Sequence, residues 1–434
     1  MNVCVFGLWH LGSVTAACLT AAGHNTTGLD PNEEAIAGLQ EGKPPLFEPG
    51  LQELINQGIS NGRLKFTTRP AEALKDAEIV WVTFDTPVDA NDHADTNLVI
   101  QQIEGIFPQI RPGSIVLISS QLPVGTTSLL AHHYTEEYPE NRVAFAYSPE
   151  NLRLGHAIEA FQHPDRVVIG APDDETRQRL THFLSNITSR IEWMSVESAE
   201  MTKHALNAFL ATSVVFINEI ASICEQVGAD AREVERGLKS EARIGPRAYL
   251  KPGGAFGGGT LARDVVFLES LGETHHVTVP LLEAVLASNV AHRDWAYRRL
   301  GDLLGDLAGK TISVLGLTYK PGTDTLRRSI AVELCHKLSE AGAVIQAHDP
   351  VVKQLPPELA SIVTLYDLPV DALKNADAAV IATDWPEFSA LSAAEFTNAM
   401  RSPIVLSPNH YLASTLGADP HIRFYAVGLS GETR

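Results

Sequence analysis

Lys203 and Asn207 stand four residues apart, so on a helix they share one face and an ammonium and an amide can converge on a single oxygen atom. That pairing suits a reaction in which an oxygen gains negative charge. A second segment of chemical interest lies near the start. Gly7-Leu8-Trp9-His10-Leu11-Gly12 follows the apolar run 3–6 and precedes a stretch of small residues, 13–22. A strand, a tight turn and a helix in that order would set free N–H groups against a pyrophosphate. Asp30 closes the next apolar run about 20 residues on, where a carboxylate accepts from the ribose 2′-hydroxyl of NAD and repels the extra phosphate of NADP. NAD is the expected cofactor. Trp9 departs from the usual fingerprint, which has glycine there so that backbone can approach the pyrophosphate. His10 reads as a loop residue rather than a catalyst.

The elements that must position these residues are legible as texture. Over residues 1–195, short apolar runs such as Ile79-Val80-Trp81-Val82, Ile115-Val116-Leu117-Ile118 and Val167-Val168-Ile169 alternate with helical patterns, predicting a parallel sheet covered on both faces. Over 196–304 strands disappear, and 197–228 keeps helical spacing long enough for one helix that packs domains or subunits together. From 305 to 434 the βαβ rhythm returns, first at Thr311-Ile312-Ser313-Val314-Leu315-Gly316. The expected fold is α/β, two Rossmann-like domains joined by a long central helix.

At 434 residues and 44% hydrophobic content the chain should be globular throughout. A net charge of −19, from 33 basic and 52 acidic side chains, argues against nucleic acid or an anionic membrane surface as partner. Cys4, Cys18, Cys224 and Cys335 lie far apart without CxxC spacing, indicating neither zinc nor a disulfide framework. Met1 leads directly into an apolar strand, and no run reaches the roughly 20 apolar residues of a membrane span, so a cytoplasmic protein is expected.

Several separated motifs carry a resemblance to the UDP-glucose/GDP-mannose dehydrogenase family. They are Glu48-Pro49-Gly50-Leu51, Asp85-Thr86-Pro87 with Ala94-Asp95, Ser148-Pro149-Glu150-Asn151-Leu152-Arg153, residues 199–209 around Lys203 and Asn207, residues 244–264, residues 316–324 with Arg327, and Thr383-Asp384-Trp385-Pro386-Glu387-Phe388. The resemblance implies an NAD-dependent nucleotide-sugar dehydrogenase, acting on a UDP-linked sugar and assembled at least as a homodimer. It implies that Lys203 stabilises an alkoxide, Asn207 orients substrate, Asp264 holds a water or acts as base, and Glu150 does acid/base work. Gly7, Trp9, His10, Leu11, Gly12, Asp30, Thr86, Pro87 and Arg327 would meet the cofactor. Arg243, Tyr249, Leu250, Gly257 and Lys320 would meet the nucleotide sugar, with Arg243 reaching across a dimer interface.

The chain departs from that family at functional positions. Thr260 stands at the nucleophilic cysteine of Gly-Phe-Gly-Gly-x-Cys-x-x-x-Asp, Gln121 at the catalytic threonine, Arg263 at a lysine, and Leu406-Ser407-Pro408-Asn409 where Asp-Gly-Arg-Asn is usual. An unassisted threonine hydroxyl is a poor nucleophile where a partly ionised thiol is a good one. A single oxidation is therefore expected. Two alternatives stay open: a catalytically silent nucleotide-sugar binding or regulatory protein, favoured by Trp9, and a full double oxidation to a uronic acid by a cysteine-independent route.

Overall fold

The computed structural model describes residues 1–86, 95–150, 152, 154–257 and 259–429. Pro87, and Ala94, Asn151, Arg153 and Gly258 of the motifs above, lie outside the described residues. By internal contacts the chain divides into two compact units, Met1–Leu206 and Asn207–Arg434.

The first unit is built on an eight-stranded sheet: β1 (Asn2–Phe6), β2 (Asn25–Leu29), β3 (Leu64–Thr67), β4 (Ile79–Val82), β5 (Ile115–Ile118), β6 (Ala144–Tyr147), β7 (Val167–Gly170) and β8 (Ile191–Met194). Their spatial order is 3-2-1-4-5-6-7-8. The first six strands form the parallel dinucleotide-binding order, which places the switch point between β1 and β4. The predicted parallel sheet needs one correction, because β7 joins β6 antiparallel through Tyr147 and Gly170 before β8 resumes parallel pairing. Both faces of β1 are covered. Val3 and Val5 enter one apolar core while Cys4 and Phe6 enter the other, which explains why the run is apolar without alternation.

The second unit carries six parallel strands, β9 (Thr311–Leu315), β10 (Val344–His348), β11 (Val363–Leu365), β12 (Ala378–Ile381), β13 (Ile404–Leu406) and β14 (Arg423–Tyr425), in the order 11-10-9-12-13-14. Relative to its first strand this is again the 3-2-1-4-5-6 arrangement. The parallel extends to the loop after that strand. Asp349 closes β10 as Asp30 closes β2, and its carboxylate accepts from the N–H groups of Leu317 (2.7 Å) and Thr318 (3.1 Å). Burial alone would raise the Asp349 carboxyl, but those two N–H groups together with those of Val351 and Val352 hold it below the usual range.

The long helix runs from Val196 to Val227, as its periodicity predicts. One sequence expectation is corrected here, since this helix is long and apolar enough by length and composition to cross a membrane. It nevertheless buries Glu200, Lys203, His204, Asn207 and Asn218 against protein, as a core helix of a globular fold does.

Candidate active site and cofactor loop

Gly7 leaves β1 with φ +94°, and a Cβ there would lie 2.8 Å from the Phe84 ring; a Cβ on Gly12 would lie 1.8 Å from the Gly7 carbonyl oxygen. Only glycine fits either position. The first helix (His10–Ala21) begins at Trp9 with no side-chain cap, so its first N–H groups are left for something other than its own cap residue. The Trp9 indole is 50% exposed, not packed beside the turn. Asp30 is buried and uses both oxygens locally, accepting from Leu8 N–H (2.6 Å) and Asn32 N–H (2.8 Å). A cradle that excludes Cβ atoms, a bare helix N-terminus and a carboxylate fixed at the end of β2 together fit a dinucleotide. Thr86, also buried, donates its hydroxyl to the Gln121 carbonyl (2.6 Å), tying the loop after β4 to the loop after β5.

His10 is held rather than free. Its Nε2 donates to Glu48 (2.9 Å), whose carboxylate also accepts from the N–H groups of Gly155 and Ala157, each at 2.8 Å. Burial would push the Glu48 carboxyl up, yet His10 and the two N–H groups outweigh it and leave it below the ordinary value of 4.5. A carboxylate so depressed contributes stability in full above its unfolded value and loses it as pH falls through the folded value. Glu48→Gln should therefore cost about 1–3 kcal/mol at neutral pH, read from chemical denaturation. The gap from the parent should narrow below pH 4.5, and a constant gap would assign the loss to packing.

Lys203 is only 7% exposed, unlike most lysines. Its Nζ donates to the Glu150 carbonyl oxygen (2.7 Å) and lies 3.3 Å from Glu150 Oε1. Glu150 in turn accepts from Leu152 N–H (2.9 Å). One turn along the same helix, Asn207 donates its amide to Asp264, whose side chain is fully buried. Asp264 sits on the helix Thr260–Thr274, and Thr260 is that helix's first residue, exposed and preceded by Gly259 at φ +107°. The structure thus pairs Lys203 with Glu150 and Asn207 with Asp264. Neither of these pairs includes Gln121, which is buried in the loop held by Thr86.

Within the second unit, Tyr249, Leu250, Lys251, Phe256, Asp384 and Asn409 line a cavity of about 340 Å³. Gly257, Tyr319, Lys320 and Asn409 border another of about 260 Å³. Gly257 is required by close approach, since a Cβ there would fall 2.3 Å from the Tyr319 ring. Arg243 lies in solvent, its guanidinium Nε 3.0 Å from Glu241, and Arg327 is also exposed. Asn409 has a clear structural task. It accepts from Gly254 N–H (2.8 Å) and donates to Asp384 (3.0 Å).

Sequence reasoning passed over the residues that brace this loop. Asn218 accepts from Gly253 N–H (3.1 Å), His292 Nε2 donates to the Gly253 carbonyl (2.8 Å), and Asn289 both accepts from and donates to the Phe256 backbone (3.0 and 2.8 Å). Asn218 could have been found, because it stands eleven residues after Asn207, about three turns on the same face. The cysteines are core residues. All four are buried, and burial pushes the thiols of Cys18 and Cys335 up to about 12 and those of Cys4 and Cys224 up as well.

A glycine cradle at the head of a 3-2-1-4-5-6 sheet, followed by a buried lysine on a long helix and a second Rossmann-like unit, defines a dinucleotide-dependent dehydrogenase of two α/β halves. Comparison with known proteins gives the same class. Residues 1–188 match the NAD binding domain of the UDP-glucose/GDP-mannose dehydrogenase family, 197–291 its central domain and 313–412 its UDP binding domain. The UDP-glucose 6-dehydrogenase of Rickettsia conorii is 34% identical over 433 residues, covering 99% of each chain. That of Pseudomonas aeruginosa is 33% identical over 443 residues, covering 99% of this chain and 97% of its own. A solved UDP-glucose dehydrogenase from Pyrobaculum islandicum superposes with a TM-score of 0.81 at 31% identity, covering 93% of both chains. The chain belongs to the UDP-glucose/GDP-mannose dehydrogenase family. It is an NAD-dependent oxidoreductase acting on a CH–OH group of a nucleotide sugar.

Proposed function

We propose that this enzyme oxidises a UDP-linked sugar once, at a carbinol carbon, and releases the carbonyl product. The observation that carries the reading is the buried Lys203 ammonium, fixed on the Glu150 carbonyl one helical turn from the Asn207–Asp264 pair. Residues 1–195 would take NAD, 196–304 would supply the active-site loop and the dimer contact, and 305–434 would take the nucleotide. Bound NAD supplies the hydride acceptor. Gly7, Trp9, His10, Leu11, Gly12, Asp30 and Thr86 would hold it, with Pro87 and Arg327 assigned by resemblance. Tyr249, Leu250, Gly257, Lys320 and Arg243 would frame the nucleotide sugar.

As hydride leaves the sugar carbon, its hydroxyl proton passes to a water held by Asp264, and the oxygen's growing charge faces Lys203 Nζ. Asn207 directs the hydroxyl. Glu150 holds Lys203 in place through its carbonyl, and its carboxylate, 3.3 Å from Lys203 Nζ, would do the acid/base work that the resemblance implies. Thr260 and Gln121, at the nucleophile and threonine positions by resemblance, would form no bond to the substrate. The reading is tested by offering UDP-, GDP-, CDP- and dTDP-sugars with NAD and following both NADH and product mass. No turnover with any of them would leave the silent binding protein as the reading.

Cofactor choice gives a separate expectation. Asp30 should make NAD bind at least about tenfold tighter than NADP, a difference that Asp30→Ala should reduce. Fluorescence titration of both cofactors decides it, and equal affinities in the parent would remove Asp30 from cofactor recognition. The dimer is supported by Phe209, Phe216 and Ile223, spaced by seven along the long helix and 68%, 47% and 58% exposed. Phe216→Glu should shift the protein to monomer in sedimentation. The four free, buried cysteines support a reducing cytoplasm as its compartment.

A further inference from the structure

Glu200 is fully buried, and no step above uses it. Its carboxylate accepts from the N–H groups of Gly125 (2.6 Å) and Thr127 (2.9 Å), at the start of the helix Thr126–Glu137. That helix begins at Gly125 with φ +94° and no side-chain cap of its own. On the long helix, Glu200, Lys203 and His204 follow at i, i+3 and i+4, so they share one face. His204 Nε2 donates to the Leu122 carbonyl (3.1 Å), while Lys203 donates to the Glu150 carbonyl. A single helical turn therefore grips the 121–127 segment at both ends and the Glu150 loop beside it.

A buried carboxylate is an expensive way to cap a helix. Removing it from water costs several kcal/mol, which two N–H groups at a helix N-terminus offset but which a serine or aspartate at the cap position would avoid. Burial accordingly raises its carboxyl above the ordinary range, despite the Gly125 and Thr127 contacts. Glu197, from its own helix, adds like charge; that residue accepts from Ser128 (2.5 Å) at the surface. What a distant carboxylate provides, and a local cap cannot, is a link between two segments more than 70 residues apart.

We propose that Glu200 is a positioning residue that holds the Gln121 segment in fixed register with Lys203, so that both meet the substrate as one unit. This rests on the assignment of Lys203 and Gln121 to the active site. The test compares the parent, Glu200→Gln, His204→Ala and the surface control Ser128→Ala by amide hydrogen exchange, steady-state kinetics and NAD titration. Glu200→Gln should speed exchange across residues 119–128 about tenfold or more. It should also lower kcat by up to about 10²-fold through misplacement while the NAD Kd stays within about twofold. His204→Ala, the milder release, should move both quantities the same way, and Ser128→Ala should move neither. If Glu200→Gln loses thermal stability but keeps parental kcat, Glu200 is only a cap. If Glu200→Gln does not fold, unchanged exchange and kcat in His204→Ala overturn the proposal. A parent that turns over no nucleotide sugar would sink the functional reading, whereas the exchange comparison still decides whether Glu200 fixes the loop.

Discussion

Replacing Lys203 with alanine is expected to reduce kcat by on the order of 10²–10³-fold or more while NAD binding is retained. In the proposed mechanism the ammonium faces the oxygen that gains charge, so its loss should fall on the transition state and not on the cofactor. The side chain is buried and donates to the Glu150 carbonyl at 2.7 Å, so truncation also leaves that acceptor without its partner. The variant's thermal stability must therefore be measured beside its kinetics. A folded Lys203→Ala protein that binds NAD and keeps normal turnover would remove the centre of the proposed site. Asn207→Ala should behave similarly but less severely, because it removes an orienting amide and not a charge.

The second large effect concerns the product. The parent enzyme should form about one NADH per sugar consumed, since by the proposed reading the Thr260 hydroxyl does not hold the first carbonyl product for a second hydride transfer. Thr260→Ala should change kcat only a few-fold, about the scale of a lost pocket contact. Thr260→Cys is the informative variant. Position 260 is the first residue of a 15-residue helix, where the helix dipole lowers a thiol's pKa and favours the thiolate. Such a thiolate can add to the aldehyde, and hydride loss from the resulting thiohemiacetal gives a thioester that water cleaves to the acid. The ratio should then rise from one NADH towards two, with uronic acid in the product mass spectrum. Two NADH per sugar in the unaltered protein would refute the single oxidation and imply another nucleophile or direct oxidation of a hydrated aldehyde.

Local information determined much of this protein. Apolar runs of strand length, the glycines at 7 and 12, the acid at 30 and the helical periodicity of 197–228 each express a constraint acting within a few residues, so two Rossmann-like halves and the helix between them were readable in advance. The four-residue spacing of Lys203 and Asn207 placed them on one face for the same reason. Tertiary structure decided what those side chains touch. Lys203 could have been a solvated lysine until packing buried it against Glu150, 53 residues away, and Asn207 met Asp264 across 57 residues. The reversal of β7, the bracing of the glycine loop by Asn289 and His292, and the seating of Glu200 on a distant helix left no periodic trace. Each depends on a hydrogen bond between remote segments, and a buried polar group finds its partner only after the chain has brought those segments together.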